Sequence, residues 1–349
     1  MKKRIEYIDL AKGLAIIGVV LSHAITNSND VYSINHPILL NFISMFNVAT
    51  FFFINGFLYN DKCVITPFKA ILKKFKAYYI PLISFNFFFL VIYNLTRKCH
   101  IISSSKEYLT IKTFLIELIK IFTGKLQSLA GPLWFLRALI VLTILYIIID
   151  SISSRIHNGK YRYIINFLVS VLLYILARSG VLPAKFNFDS GCSAMIVFFF
   201  GVYYRHKDLS RFTSKYSYVL FSVSLITTII IANFSYVGIN KSINPVLDIL
   251  AKISSVTMII SLSQIPQISR IIPLKVLGAG SLEIMALHIL SFKPVSLLII
   301  YLNNLEITYL EDNPIIRLPI VTFGWSIVYT LSGLILPVVF YKIKKRFIH

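Results

Sequence analysis

Apolar segments about 20 residues long recur from one end of this sequence to the other, and nothing else in it constrains the fold as strongly. Inside a bilayer every backbone polar group needs an internal partner, so segments of that length must be helices. A barrel would instead show alternating stretches of about 10 residues. The fold class is therefore all-α, a polytopic membrane protein. Charged residues are only 14% of the 349, where soluble domains carry about 25%.

We expect about ten transmembrane helices, roughly at 8–26, 37–59, 77–95, 132–152, 163–181, 192–204, 217–236, 245–265, 281–302 and 318–341. Lysine and arginine concentrate in cytoplasmic loops, which sets the orientation. With the N-terminus inside, the inner segments hold 21 of the 35 basic residues and the outer loops nine. Both termini are then cytoplasmic. The formal charge of +21 follows the loops, so it does not point to nucleic acid. No Gly-rich or Pro-rich linker divides the chain, and 1–349 reads as one transmembrane domain with no extra soluble domain.

Lys2, Lys3 and Arg4 before an apolar run look like a signal peptide. Asp9 and Lys12 interrupt the run and no A-x-A site follows, so an uncleaved first span is expected. Cys63, Cys99 and Cys192 form no metal-binding pattern, and no metal is expected. The stretch 109–122 (LTIKTFLIELIKIF) gathers Lys112, Thr113, Glu117 and Lys120 on one helical face. It reads either as a helix lying in the outer interface or as a packed, re-entrant one.

Ionisable groups inside spans are costly and therefore functional candidates. His23 leads them, as a catalytic or proton-handling group. Eleven helical residues put Lys12 about 16 Å from His23, half of a hydrocarbon core of roughly 30 Å. Asp9 and Lys12, three apart on one face, read either as a binding or active-site pair or as a helix cap and a snorkelling lysine, and about 21 Å along the helix keeps Asp9 from orienting His23. Lys73, Lys74 and Lys76 stand before the third span, as membrane anchors or as a cationic cradle for a phosphorylated cytoplasmic ligand. No P-loop or GxGxxG accompanies them. Trp134 and Arg137 open the fourth span. Asp248 and Lys252, four apart, can satisfy each other. Glu283, His288 and Lys293 lie in the ninth span.

The pattern D-x-x-K-G-x-A-x-x-x-x-V-x-x-H from Asp9 to His23 resembles the first span of the membrane acyltransferase 3 family. That family writes a basic residue, ten residues, then His. Lys12 stands where Arg is usual. FNVATFFFINGFLY (46–59), KKFKAYYIP (73–81), PLWFLRAL (132–139) and SLEIMALHILSF (281–292) resemble further family blocks in the same order, from about residue 5 to 340. The resemblance implies a multi-pass protein of the bacterial cytoplasmic (inner) membrane. It implies O-acylation of a cell-surface glycan such as O-antigen, capsule or exopolysaccharide, or of its lipid-linked sugar precursor. The acyl donor would be acyl-CoA, most often acetyl-CoA. His23 would be the general base, with Arg137 or Trp134 as candidate oxyanion donors and Lys73, Lys74 and Lys76 against the CoA phosphates. A lipid-linked sugar transporter or flippase is the competing reading, since ten spans with buried charges suit it too. No inverted repeat or Gly/Pro-broken pair of spans in matching halves favours that reading.

Overall fold

A computed structural model describes residues 5–26, 37–156, 159–234 and 244–348 of the chain. Its principal helices are α1 (Glu6–Thr26), α2 (Pro37–Phe57), α3 (Pro67–Val91), α4 (Ile111–Phe122), α5 (Trp134–Ile156) and α6 (Lys160–Arg178). They continue with α7 (Met195–His206), α8 (Ser217–Phe234), α9 (Pro245–Gln264), α10 (Ile272–Ala279), α11 (Ser281–Leu302) and α12 (Phe323–Ile348). Local chemistry starts several of them. Pro67 and Pro245 occupy first-turn positions whose N–H would be unpaired anyway. The Asn244 side chain caps α9 through the Val246 N–H at 2.9 Å.

Among the described residues, seven segments are long and apolar enough to cross a membrane: α1, α2, α5 with its preceding turn, α6, α9, α11 and α12. Two bent pairs raise the count to nine if each is one span. Lys185–Ser193 meets α7 at 51°, and Leu209–Lys215 meets α8 at 89°. The remaining expected span, 77–95, falls on α3 and on the short helix Tyr93–Lys98 that follows Ile92. Lys69, Lys73, Lys74 and Lys76 in the first half of α3 dilute its apolar character, so only the second half reads as a span. The Lys2 to Arg4 cluster lies outside the described residues.

The first helix is the centre of the bundle. It packs against α2, α9, α10, α11 and α12. Leu10, Ala11, Ala15, Ile16, Val20 and Ala24 have no exposure at all. Lipid is as apolar as leucine, so helices associate in it where small residues let backbones approach. Two glycine crossings do this. A Cβ on Gly278 of α10 would stand 1.8 Å from the Asp9 carbonyl oxygen, and one on Gly13 would stand 2.1 Å from that of Leu274. Gly56 of α2 and Gly201 of α7 form the second, with Cβ positions 2.0 Å and 2.1 Å from the Phe198 and Phe53 carbonyl oxygens. By contrast α6 turns Leu168, Leu172 and Ile175 outward, a surface suited to acyl chains.

Polar clusters lock the periphery. Arg162 of α6 grips Asp150 of α5 through Nε at 2.7 Å and Nη2 at 2.6 Å. Tyr59 Oη and Asn166 Nδ2 donate to the same carboxylate at 2.8 and 2.7 Å. Lys252 pairs with Asp248 at 2.8 Å, as their spacing predicts, and Tyr174 Oη donates to the same carboxylate. Lys293, only 2% exposed, donates to the Leu310 and Asp312 carbonyls at 2.8 and 2.6 Å. It thereby ties the 303–322 connection to α11.

Candidate active site

Two clusters of polar groups lie along the α1–α11 contact. The first is a cleft of about 560 Å³ lined by Asp9, Lys12, Phe57, Arg205, Gly278 and Ser281, among others. Lys12 Nζ stands 3.5 Å from Asp9 Oδ1, three residues back on the same face. Arg205 is held at the end of α7 by the carbonyls of Phe57 and Tyr59, at 3.3 and 2.8 Å from Nη1. The close crossing of α10 on α1 brings Gly278 and Ala279 to the cleft wall. α11 starts in that wall at Ser281 and Leu282, so its positive N-terminal end faces the same space.

The second cluster is a pair of imidazoles. His23, near the far end of α1, meets His288 of α11 with ring centroids 5.1 Å apart and planes inclined by 38°. His23 is half-buried, and among the described residues it has no hydrogen-bond partner. His288 is fully buried. Its Nδ1 lies 2.9 Å from the Ile284 carbonyl oxygen. A carbonyl only accepts, so Nδ1 carries the proton and Nε2 presents a lone pair. Phe292 packs edge-on against His288 at 5.7 Å and Tyr329 closes on Phe292 at 5.5 Å. The far end of α1 is pinned by the Ser326 hydroxyl, which donates to the Ala24 carbonyl at 3.0 Å.

The candidates named from sequence separate into groups. Asp9 and Lys12 share the cleft, and His23 meets His288. Glu283 lies between the two clusters on α11 and is held by Lys344 of α12 at 2.9 Å. Trp134 packs edge-on against Phe135 with centroids 6.4 Å apart, immediately after the turn Ser128–Leu133 that rests on α11. Arg137 Nη1 donates to the Gly124 carbonyl at 3.0 Å and its guanidinium lies 5.9 Å from the Phe186 ring centre. Its Nε is buried with no partner among the described residues. Lys73, Lys74 and Lys76 are on α3, which packs on α5 and α4, and none of them lines the Lys12 cleft.

Sequence reasoning did not single out Arg205 or the Asp150–Arg162 pair. Arg205 and Arg162 read as ordinary loop charges. Asp150 sat at the end of an expected span, and one intramembrane carboxylate was the signal that a cation must come to meet it.

The family model described as an acyltransferase domain matches residues 5–342. The chain belongs to the acyltransferase 3 family and is a membrane acyltransferase. No curated protein and no solved structure matches it.

Proposed function

We propose that this member of the acyltransferase 3 family moves an acetyl group from acetyl-CoA to a sugar hydroxyl of a cell-surface glycan or its lipid-linked precursor, in the cytoplasmic membrane of a bacterium. The observation that carries the reading is the layout of α1. One helix joins a cationic cleft at Lys12 to an imidazole pair at His23, and α11 runs from that same cleft to His288. A donor with a phosphorylated head and a reactive tail needs two such sites.

The CoA phosphates would sit against Lys12, Arg205 and the first N–H groups of α11, where cations and a helix N-terminus favour anions. Lys73, Lys74 and Lys76 would add a longer-range field at the cytoplasmic face. This orientation follows the basic loops and puts both termini inside. The thioester would reach along α1 and α11 towards His23.

There His23 acts as general base. It takes the proton of the acceptor hydroxyl while that oxygen forms a bond to the thioester carbonyl carbon. The carbonyl oxygen becomes an oxyanion, and Trp134 N–H or Arg137 is the candidate donor to it. Collapse breaks the carbon–sulfur bond, and the proton on His23 passes to the departing CoA thiolate. Asp9 holds Lys12 in place by their ion pair.

The test compares the surface glycan by NMR in cells lacking the chain and in cells producing the native chain or His23→Ala at equal membrane levels. Loss of one acyl signal with the variant supports the reading, and the signal's identity reports the acyl group, sugar and position. An unchanged acyl signal removes His23 from the chemistry. An acyl signal that never depended on the native chain removes the glycan acceptor.

A further inference from the structure

His288 is a buried polar group with half of its bonding capacity unused. Its Nδ1 proton is committed to the Ile284 carbonyl within its own helix. Its Nε2 is buried with no hydrogen-bond partner among the described residues. Leaving a lone pair dry and unmatched costs on the order of 1–3 kcal/mol, so a fold that keeps one there is using it. Across the α1–α11 contact it adjoins a second imidazole. His23 belongs to α1, and its ring centre is 5.1 Å away.

That separation is informative. A direct N–H···N bond between two imidazoles needs ring centres about 5 Å apart, so small side-chain rotations would complete one. Catalytic hydrogen bonds are commonly loose before substrates bind and tighten in the complex. The surroundings suit the bond. Phe292, backed by Tyr329, walls His288 with aromatic surface, and Lys293 is already spent on the Leu310 and Asp312 carbonyls. Glu283 is occupied by Lys344.

We propose that His288 is the positioning residue for His23. Its Nε2 accepts a hydrogen bond from one ring N–H of His23, which leaves the lone pair of the other His23 nitrogen facing the acceptor hydroxyl. This rests on His23 being the general base. When His23 takes the hydroxyl proton, the new imidazolium keeps its bond to the neutral His288 ring. The proton then leaves with the thiolate, and His288 ends as it began, protonated on Nδ1. A carboxylate in this role would carry a full charge into a dry core, at a larger desolvation cost. A neutral imidazole supplies the same directional acceptor without it.

Two near-isosteric variants separate this role from a purely structural one. His288→Gln can place an amide oxygen where Nε2 stands but gives up the Nδ1 donor. His288→Asn can keep the donor to Ile284 but has nothing at the Nε2 position. Initial rates are measured in membranes with radiolabelled acetyl-CoA and the glycan of the producing cells, at matched folded protein. His288→Gln should retain kcat within about tenfold, and His288→Asn should lose about a hundredfold, with the KM for acetyl-CoA unchanged in both. In a His23→Ala background neither variant should lower the residual rate further.

Any other order overturns the assignment: Asn as active as Gln, both inactive, or both at the native rate. A His23→Ala variant that keeps native activity would instead overturn the general-base reading beneath it. If His288→Gln fails to fold, His288→Asn carries the test. Folded and active at the native kcat, it overturns the proposal; folded with kcat lost and KM kept, it supports it.

Discussion

His23 and His288 meet ring against ring, 5.1 Å between centres, from two helices that both begin at the Lys12 cleft. The contact makes α1 and α11 the two walls of one path. A general base in this position is expected to be worth about 10²–10⁴ in rate. His23→Gln should therefore lower kcat by that factor and leave the KM for acetyl-CoA in place. A variant that keeps kcat and raises KM would make His23 a binding group.

Lys12 should act on the donor and not on the chemistry. Hydrogen bonds to charged groups contribute about 1.5–3 kcal/mol, so Lys12→Ala is expected to raise the KM for acetyl-CoA by roughly tenfold or more with kcat preserved. Lys12→Arg should retain affinity, because a guanidinium matches phosphate geometry at least as well. Steady-state kinetics at varied donor concentration distinguishes this from a catalytic role, in which kcat would fall first.

The crossing of α10 on α1 leaves no room for a side chain at Gly278. Overpacking of this kind costs about 1–3 kcal/mol, and here the obstacle is backbone that cannot swing aside. Gly278→Val should lower the thermal unfolding midpoint in detergent and weaken acetyl-CoA binding together, since Gly278 lines the Lys12 cleft. Gly131→Ala is the control, because its Cβ would meet nothing within 4 Å. Equal melting of Gly278→Val and the native chain would rule out the backbone-to-backbone contact.

Asp150 is 1% exposed and depends on the Arg162 fork. Removing one partner of a buried pair strands the other, typically at about 3–5 kcal/mol. Arg162→Met should be strongly destabilising, and adding Asp150→Asn should recover part of the loss. A double-mutant cycle on thermal unfolding measures the coupling. Strictly additive effects would mean that the two side chains do not bond.

In the connection between α3 and α5, burial raises the Glu117 carboxyl, but the Lys125 and Lys120 ammonium groups outweigh it and hold it below its ordinary 4.5. Its contribution to order is then fully present above the ordinary value and is lost only as the pH falls through the lower folded value. Hydrogen exchange of α4 should stay slow through pH 4.5 and quicken below it. Glu117→Gln should exchange quickly at every pH. Slow exchange in that variant would show that the apolar contacts of α4 suffice.

The α4 stretch also illustrates what was legible. Its polar face was readable from spacing, and Thr110 does cap it, accepting from the Thr113 N–H. Glu117 lies at 2.9 Å from Lys120, on that same face. Its exact partner Lys125, 2.7 Å away beyond the end of the helix, was not readable, because a turn brings it back. The bent pairs show the same division. Their apolar content announced spans, while the 51° and 89° bends arise where backbone and neighbours break the helical run.

Sequence by itself determined the helical membrane class, the family pattern, and the placing of Lys12 and His23 on one helix. Those features are local: chain length against bilayer thickness and a fixed rise per residue decide them. Only the tertiary structure decided that His288 stands beside His23, that Arg205 joins Lys12, and that Arg162 reaches Asp150. Apolar helices have no hydrophobic preference for one another within lipid. Which of them touch is settled by a few glycine crossings and single polar bonds between residues far apart in the chain, and neither leaves a periodic trace in the sequence.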